Sequence, residues 1–279
     1  MIRAKKTLGQ NFLSDANIAH RIVDTVSPSH GDVIIEIGPG TGALTRLLVN
    51  RAFFVVAVEI DSRLTELLER EIRADNLSIV KADALSLDWK KLINEARSKS
   101  LALSRHDSNL NRVRVVANLP YYISTPIIER LLSIGDHLFD MTLMLQKEVA
   151  DRITSGPGGR EYGYLSVLVQ YHSIATRLFE VAPSAFTPAP KVQSAVIKLK
   201  MRSEPSVEVA NERRFFRLVQ MCFAQRRKTI LNNLKAAAGS GGFTRDVESA
   251  LGAASVASQR RAETLSLEEF ASLYNGLYR

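Results

Sequence analysis

Apolar residues follow two different spacings along the chain up to about residue 200. Short runs rich in β-branched residues have the length of strands, and between them apolar residues recur every three or four positions, as on one face of a helix. Strands are predicted at 32–37, 53–58, 77–80, 113–117, 141–145 and 176–181, and 194–199 is predicted as an edge strand that closes the sheet. This alternation favours an α/β fold, a Rossmann-like, mostly parallel sheet with helices on both faces.

The pattern changes near residue 203. From Asn211 onward the spacing is helical, with an interruption at the glycine-rich segment 239–242. We therefore predict a catalytic domain at 1–203, which begins with a basic arm at 1–14, and a small all-helical C-terminal domain at 204–279. Within the first domain, the Ser-, Arg- and Asn-rich segment 97–112 is predicted to be a surface insertion.

Composition narrows the cellular setting. The net charge of +8 favours a polyanionic partner, nucleic acid first, although a basic enzyme without such a partner has the same balance. Cys222 is the single cysteine, no secretory signal is recognisable and no apolar run approaches the roughly 18 residues that span a membrane. These features predict a reducing, cytoplasmic location, and the five histidines show no metal-binding spacing.

Three polar features follow the first three predicted strands. The glycine turn with Gly38 and Gly40 follows the first, Glu59 ends the second and Asp83 follows the third. Singly, they have structural explanations as a turn, a solvated acid and a helix cap. Together they lie at one edge of a parallel sheet, where Glu59 can accept hydrogen bonds from ribose hydroxyls and Asp83 can accept one from an adenine amino group. We predict a site for a nucleoside-containing cofactor; the glycine spacing alone also fits a dinucleotide.

The fourth strand ends in Asn118, Leu119, Pro120 and Tyr121. Because the lone pair of an adenine exocyclic amine is delocalised into the ring, the amine is a poor nucleophile. Oxygen acceptors from Asn118 and the following carbonyl can hold both N–H groups and favour the nucleophilic nitrogen, while Tyr121 stacks on the base. This motif favours methylation of an adenine amine over hydride transfer; a simple strand-ending turn is the alternative.

Further candidates contact RNA. Phe186, before a proline-rich loop, is predicted to stack on the other face of the target base, with a place in the core as the alternative. Basic residues of the arm and of a segment predicted to be helical, 225–228, offer phosphate contacts, with a solvated surface as the alternative. These basic residues are Arg3, Lys5, Lys6, Arg226, Arg227 and Lys228.

The ordered set of motifs closely resembles the KsgA family of ribosomal RNA adenine N6-dimethyltransferases over nearly the whole chain. The motifs are 9–13 (GQNFL), 36–42 (EIGPGTG), 118–121 (NLPY), 186–192 (FTPAPKV), 226–229 (RRKT) and 232–234 (NNL). The resemblance implies a class I methyltransferase fold that uses S-adenosylmethionine, releases S-adenosylhomocysteine and needs no metal. It implies cofactor contacts from Asn11, Leu13, Gly38, Gly40, Glu59, Asp83 and Asn118, and base stacking by Tyr121 and Phe186. The segment 97–112 departs from the family pattern.

The implied reaction is N6,N6-dimethylation of two adjacent adenines in the 3′-terminal hairpin loop of 16S rRNA, on a pre-30S particle during ribosome biogenesis. Nothing in the sequence requires a dimer, and we expect a monomer. Two alternatives remain close: an Erm-type enzyme that modifies large-subunit (23S) rRNA, and a non-catalytic ribosome assembly factor on the same fold. A nicotinamide enzyme is more distant. The complete arm motif 9–13 and the loop 186–192 favour the first interpretation.

Overall fold

The computed structural model describes residues 3–29, 31–103 and 112–278. The chain forms two compact units: the first contains the residues up to Ala150 together with Ile174–Met201, and the second contains Asp151–Ser173 and the residues from Arg202 onward. Residues 151–173 thus belong to the second compact unit, whereas the predicted boundary at 203 assigned them to the catalytic domain. The functional boundary stays a prediction.

The first unit is built on a seven-stranded sheet, with a separate two-stranded sheet formed by β1 and β8. The strands are β1 (Phe12–Leu13), β2 (Asp32–Ile37), β3 (Phe54–Glu59), β4 (Leu77–Lys81), β5 (Arg112–Asn118), β6 (Asp140–Gln146), β7 (Ser173–Val181), β8 (Phe186–Thr187) and β9 (Ser194–Met201). All residues of β2 and β3 are buried. Near-continuous apolar runs of this kind are expected of parallel strands that are covered on both faces.

The order of strands in the large sheet is β4-β3-β2-β5-β6-β9-β7. Strands β2 to β6 pair in parallel, and β9 runs antiparallel to β6. The chain therefore leaves β2 in one direction through β3 and β4 and returns to β5 on the other side. The carboxyl ends of β2 and β5 flank a topological switch point, which is where ligands bind in open α/β sheets.

The helices are α1 (Ala16–Val26), α2 (Thr45–Leu48), α3 (Ser62–Glu71), α4 (Trp89–Leu103), α5 (Ser124–Leu132), α6 (Lys147–Thr154), α7 (Tyr164–His172), α8 (Glu212–Cys222), α9 (Ile230–Gly241), α10 (Val247–Ala253) and α11 (Leu267–Tyr278). Local capping sets several of their first turns. Asp15 accepts hydrogen bonds from the backbone N–H groups of Asn17 and Ile18 at the start of α1, and Asn211 accepts one from Arg214 at the start of α8.

Two sequence-based predictions are wrong in detail. Helix α4 continues to Leu103, so 97–103 is helical and not an irregular insertion; Ser100 is buried, and Arg97 donates to the backbone carbonyl of His137. Residues 104–111 of the predicted insertion lie outside the described residues. Strand β9 is not at the edge of the sheet, because β7 lies outside it.

The amino-terminal ends of the central strands hold a buried charged network. The Arg114 guanidinium lies 3.0 Å from an Asp32 carboxylate oxygen and 2.7 Å from one of Asp140, and Lys198 lies 3.3 Å from Asp140. Arg114 and Lys198 also donate to the backbone carbonyls of Val26 and Thr25. These bonds join β2, β5, β6 and β9 to the end of α1, at the edge of the sheet away from the switch point.

The second unit has an aromatic core. Tyr162, Phe215 and Phe270 are fully buried, and the rings of Phe215 and Tyr171 lie 5.6 Å apart between centroids. The Tyr162 side chain also meets Phe223 edge-on, with centroids 6.2 Å apart. Helices α8 to α11 supply much of this core, as the helical spacing after residue 211 predicted.

Candidate active site

A cavity of about 270 Å³ lies at the carboxyl edge of the sheet, at the switch point between β2 and β5. Residues of the N-terminal arm, the ends of β2 to β5 and the turn before α5 line it. Eight of the predicted site residues are in this lining: Asn11, Gly38, Glu59, Asp83, Asn118, Leu119, Pro120 and Tyr121. The fold thus brings these eight residues to one cavity, although Asn11 and Tyr121 are 110 positions apart in the sequence. Their roles stay predictions.

The glycine turn brings backbone close to the cavity. Gly38 and Gly40 have φ values of +68° and +58°, in the left-handed region that side chains other than glycine rarely adopt. A Cβ on Gly40 would lie 3.0 Å from Cδ1 of Phe12. Gly40 does not line the cavity, and its N–H donates to Glu59 Oε2 over 3.3 Å. Gly40 thus positions Glu59 in this structure.

Glu59 is held by backbone groups. Its Oε1 accepts hydrogen bonds from the N–H groups of Ile60 and Asp61 at 3.0 and 2.9 Å, and Oε2 accepts the one from Gly40. The side chain is 5% exposed, and burial raises the pKa of Glu59 although these three bonds act in the opposite direction. Since a carboxylate offers about four lone-pair sites, Oε2 retains room for a hydroxyl donor.

Glu36 is a buried acid that the sequence analysis did not select. It lies on β2, and Thr45 Oγ1 donates to its Oε2 over 2.7 Å. Burial first, and then the nearby Glu59 charge, raise the pKa of Glu36 to about 7, while the Thr45 bond opposes the shift. A charged residue type within an otherwise apolar strand was the available signal, because such residues are rarely buried without a reason.

Asp83 follows β4 and lines the cavity. Its Oδ1 accepts a hydrogen bond from the N–H of Leu85 over 2.9 Å, which supports the turn toward α4. None of the described residues donates to Oδ2. The structural explanation of Asp83 as a turn residue and its predicted role toward an amino group are therefore compatible, since each uses a different oxygen.

Asn118 ends β5 in a defined orientation. Its Nδ2 donates to the backbone carbonyl of Asn11 over 3.1 Å, which fixes the amide with its nitrogen toward the arm. Within the described parts of the chain, Oδ1 receives no donor. Gly38 lies close by, since a Cβ there would be 3.7 Å from the Asn118 backbone oxygen. The amide oxygen therefore keeps its acceptor capacity, on a residue that lines the cavity beside the glycine turn.

Leu119, Pro120 and Tyr121 form a firm turn. The Leu119 N–H donates to Met144 on β6, and its side chain is buried. Tyr121 is half-buried, and its hydroxyl lies 2.7 Å from Ser194 Oγ. Burial raises the pKa of Tyr121, so its phenol stays neutral at physiological pH. The ring is thus fixed at both its backbone and its hydroxyl.

Leu13 and Phe186 lie outside the cavity lining. They are opposite each other in the antiparallel pair β1–β8 and are 6% and 4% exposed, within the apolar core of the first unit. The core position that was the alternative for Phe186 is its position in this structure. Base stacking by Phe186 stays a prediction and requires its ring to become accessible.

The arm is attached to the sheet edge through Asp61. Lys5 Nζ and Gln10 Nε2 lie 3.2 and 3.3 Å from the Asp61 carboxylate, and Arg63 Nη2 lies 2.6 Å from it. The bond to Arg63 first, and then those to Gln10 and Lys5, hold the pKa of Asp61 well below its usual range. Sequence reasoning missed Asp61, whose position before α3 indicates only a helix cap.

The predicted phosphate-binding residues fall in both units. Arg3 is exposed, Lys5 pairs with Asp61, and Lys6 belongs to a short 3-10 helix, Lys6–Leu8. The segment 225–228 is a turn between α8 and α9, not a helix, because the chain closes on itself through the bond from Lys228 N–H to the Gln225 carbonyl.

Within that turn the three basic residues differ. All three are exposed, but Arg226 also donates to the backbone carbonyls of Arg160 and Tyr162 over 2.6 and 3.2 Å. Arg226 therefore also holds a loop of the second unit. Phosphate binding by all six basic residues stays a prediction.

The hydrogen-bond acceptors and the glycine backbone of the cavity fit an S-adenosyl cofactor. Glu59 has acceptor capacity for a ribose hydroxyl, Asp83 Oδ2 for an adenine amino group, and Gly38 allows close approach of the backbone. The described residues contain no group of three or more His, Cys, Asp or Glu side chains that would hold a metal ion. No helix in the described ranges has the length and apolar character of a membrane span.

The sheet order, the glycine turn after its first parallel strand and the strand-end acids define a class I, Rossmann-like methyltransferase fold. The chain belongs to the ribosomal RNA adenine dimethylase family, which matches residues 1–277. It is 45% identical to the ribosomal RNA small subunit methyltransferase A of Anoxybacillus flavithermus over 98% of this chain and 90% of that one. The corresponding protein of Clostridium acetobutylicum is 42% identical, over 99% and 95% of the two chains.

Two solved structures are similar over nearly the full length. The 23S rRNA methyltransferase ErmE is 28% identical with a TM-score of 0.68, covering 96% of this chain and 99% of its own. A dimethyladenosine transferase from Plasmodium falciparum is 25% identical with a TM-score of 0.74, covering 94% and 95%. The chain thus shares its fold with a 23S rRNA methyltransferase and its family with proteins named small subunit methyltransferase A, and it is an rRNA adenine methyltransferase by family.

Proposed function

We propose that this protein uses S-adenosylmethionine to dimethylate N6 of two adjacent adenines in the 3′-terminal hairpin loop of 16S rRNA, within a pre-30S particle. The observation that carries the proposal is the orientation of Asn118. Its amide nitrogen donates to the Asn11 carbonyl, its oxygen accepts no hydrogen bond from the described residues, and the residue lines the cavity. An acceptor at this position suits an amine that must lose conjugation with its ring.

The protein contributes positioning and hydrogen bonding. Asn118 Oδ1 and the Leu119 carbonyl accept from the two N–H groups of the target amine, and Tyr121, anchored to Ser194, supports the face of the base. These contacts favour the pyramidal nitrogen of the transition state over the planar amine of the free base. The neutral phenol keeps Tyr121 as a flat, uncharged surface.

Gly38, Glu59 and Asp83 form the cofactor half of the site, together with Asn11 of the arm. When bound, S-adenosylmethionine supplies an electrophilic methyl group on a sulfonium. Glu59 would hold the ribose and Asp83 the adenine amino group, so that the protein would align the methyl donor with the target amine. Leu13 and Gly40 act indirectly. Leu13 belongs to β1, which follows Asn11, and the Gly40 N–H donates to Glu59.

The small subunit is favoured over the large one by sequence similarity. The relatives called small subunit methyltransferase A are 42–45% identical to this chain, against 28% for the 23S enzyme ErmE. The net charge of +8 suits an RNA substrate. We further propose that the enzyme acts in the cytoplasm, as a monomer, and that Arg3, Lys5, Lys6, Arg226, Arg227 and Lys228 bind phosphates.

The test is to incubate the protein with labelled S-adenosylmethionine and undermethylated small subunits and to map the modified bases. We expect two adjacent dimethyladenines in the terminal hairpin loop. Asn118→Ala should reduce methyl transfer roughly 10²- to 10³-fold, because an acceptor that acts in the transition state is lost. Binding to the particle, measured by sedimentation, should survive.

Asn50→Ala is the matched control, since Asn50 is an exposed asparagine outside the cavity. It should leave transfer unchanged. Methylation of protein-free large-subunit rRNA, with small subunits inert, would establish the Erm-type alternative. Particle binding without any calorimetric signal for S-adenosylmethionine would establish the assembly-factor alternative.

A further inference from the structure

Tyr122 is an exposed aromatic residue at the mouth of the cavity. It is 59% exposed, the largest value among the exposed large apolar residues in the described parts of the chain. It lines the cavity beside Tyr121, and its hydroxyl has no hydrogen-bond partner among the described residues. Nothing in the reaction derived above uses this ring.

Two exposed apolar side chains line the cavity, and the sheet order separates them. Ile60 follows Glu59 and β3, on the half assigned to the cofactor, and is 46% exposed. Tyr122 follows β5, which lies on the other side of β2 from β3. Tyr122 therefore belongs to the half of the site that receives the target adenine.

The ring is also held firmly. It rests on Gly9, whose φ is +58° and whose hypothetical Cβ would lie 3.0 Å from Tyr122 Cδ1. Tyr122 is the middle residue of the 3-10 turn Tyr121–Ile123, which runs directly into α5. A bond from the Ile123 N–H to the Pro120 carbonyl and one from Ser124 Oγ to the Tyr121 carbonyl close this turn. An aromatic surface on a rigid turn is suited to stacking, since little side-chain freedom remains to be lost.

We infer that Tyr122 stacks on a nucleobase adjacent to the target adenine, outside the cavity, and so contributes to RNA binding. This inference rests on the proposed function. Tyr121, whose hydroxyl is bonded to Ser194, stacks on the target adenine inside the cavity, and Tyr122 stacks on the adjacent base.

The test compares steady-state kinetics with undermethylated small subunits. Tyr122→Ala should raise the KM for particles roughly ten- to one-hundred-fold, the range expected for one lost stacking contact. The kcat and the dissociation constant for S-adenosylmethionine should stay within about two-fold. Tyr122→Phe and Tyr122→Trp should behave as wild type, because they keep the ring.

Two further variants separate stacking from indirect effects. Leu101→Ala removes an exposed apolar side chain outside the cavity and should change nothing. Gly9→Ala disturbs the arm, through its φ and its contact with the ring, and should weaken cofactor binding instead. If Tyr122→Ala weakens cofactor binding as Gly9→Ala does, the residue supports the arm and the inference is wrong.

An unchanged KM for particles in Tyr122→Ala would also overturn the inference. So would a Tyr122→Phe variant as defective as Tyr122→Ala, because a contact of the hydroxyl, and not stacking of the ring, would then explain the loss. Failure of the proposed function gives a different result. In that case the wild type itself does not methylate small subunits, and the same variants are compared on the RNA that it does methylate.

Discussion

The two edges of the central sheet both bury acidic residues, yet they surround them differently. At the amino edge, Asp32 and Asp140 face Arg114 and Lys198, so two negative charges meet two positive ones. At the carboxyl edge, Glu36 and Glu59 face hydroxyl and backbone donors without a cation of their own. The charges of the first edge are paired within the protein, whereas the second edge adjoins a cavity.

This difference separates a structural network from a binding site. Buried charges are tolerated when they are paired with opposite charges, and at the amino edge this pairing joins elements of the fold. Asp32 Oδ1 and Asp140 Oδ1 accept no hydrogen bond there, but both atoms are buried, so a ligand does not reach them. Acceptors such as Asp83 Oδ2 and Asn118 Oδ1, which no described residue satisfies, are available to a bound molecule instead. The sequence therefore identifies the acidic residues, but only their surroundings in the fold distinguish a structural ion pair from a ligand-binding group.

The largest effect is expected at the amino edge. Arg114→Met leaves Asp32 and Asp140 without their shared cation and should lower the free energy of unfolding by about 3–5 kcal/mol at pH 7. Burial already raises the pKa of Asp140 against the influence of Arg114 and Lys198, so losing Arg114 raises it further. Urea denaturation measures the change.

Arg112→Met is the matched control for this variant. Both guanidinium groups lie 4.7 Å from the centroid of the Phe139 ring, but Arg112 is exposed and has no buried carboxylate partner. It should cost less than about 1 kcal/mol. Equal losses in the two variants would contradict a role for the charge network. Affinity for the cofactor should be unchanged in folded Arg114→Met, because the site is at the opposite edge.

The next effect is expected at Glu36. Its pKa is raised from 4.5 to about 7, so the folded state binds a proton that the unfolded state releases between these values. Stability is therefore full below about pH 4.5 and is lost as pH rises through 7. Glu36→Gln keeps an acceptor for Thr45 and should remove this dependence, with a gain of about 3 kcal/mol over wild type at pH 9.

Thermal unfolding between pH 5 and 9 tests this expectation. The wild-type curve should fall away from the Glu36→Gln curve between about pH 5 and 7, and above pH 7 the two curves should run nearly parallel. Parallel curves throughout would show that Glu36 is ionised, or neutral, at every pH in that range. The pH dependence of Arg114→Met provides a comparison, because the acids of the amino edge are paired with cations and Glu36 is not.

The positions of the parallel strands were predictable because β-branched runs mark buried strands. The carboxyl-edge residues were predictable because parallel strands end at a common edge. The order of the strands was not, since the pattern within a strand does not report its neighbours. In β9, Lys198 contributes to an apparent edge-strand alternation, but it is polar because it bonds Asp140 and the Thr25 carbonyl.

Other features depend on partners distant in sequence. Phe186 has the same sequence signature whether it stacks on a base or packs opposite Leu13. The Ser- and Arg-rich composition of 97–103 resembles a loop, but burial of Ser100 and the Arg97 bond to His137 stabilise a helix there. Asp61 reads as a cap from sequence, and only the folded arm shows its bonds to Lys5 and Gln10.

The smallest effect is expected where the arm meets the carboxyl edge. Asp61→Asn removes the charge that holds Lys5 and Arg63, so the arm segment that supplies Asn11 to the cavity should loosen. Affinity for S-adenosylmethionine should fall roughly three- to ten-fold, the equivalent of about 1 kcal/mol for partly exposed ion pairs. Calorimetry measures the affinity, and hydrogen exchange of residues 5–11 measures the loosening.

Asp88→Asn is the control for this last variant. Asp88 accepts a hydrogen bond from the Lys91 N–H at the start of α4, as Asp61 does from Arg63 at the start of α3, but it has no bond to the arm. If both variants weaken the cofactor equally, capping explains the loss. Because its pKa is lowered, Asp61 stays ionised throughout and above the ordinary aspartate range, and its bonds to the arm weaken only when the pH falls below that range. The affinity of the wild type for S-adenosylmethionine should therefore not depend on Asp61 titration between pH 6 and 8.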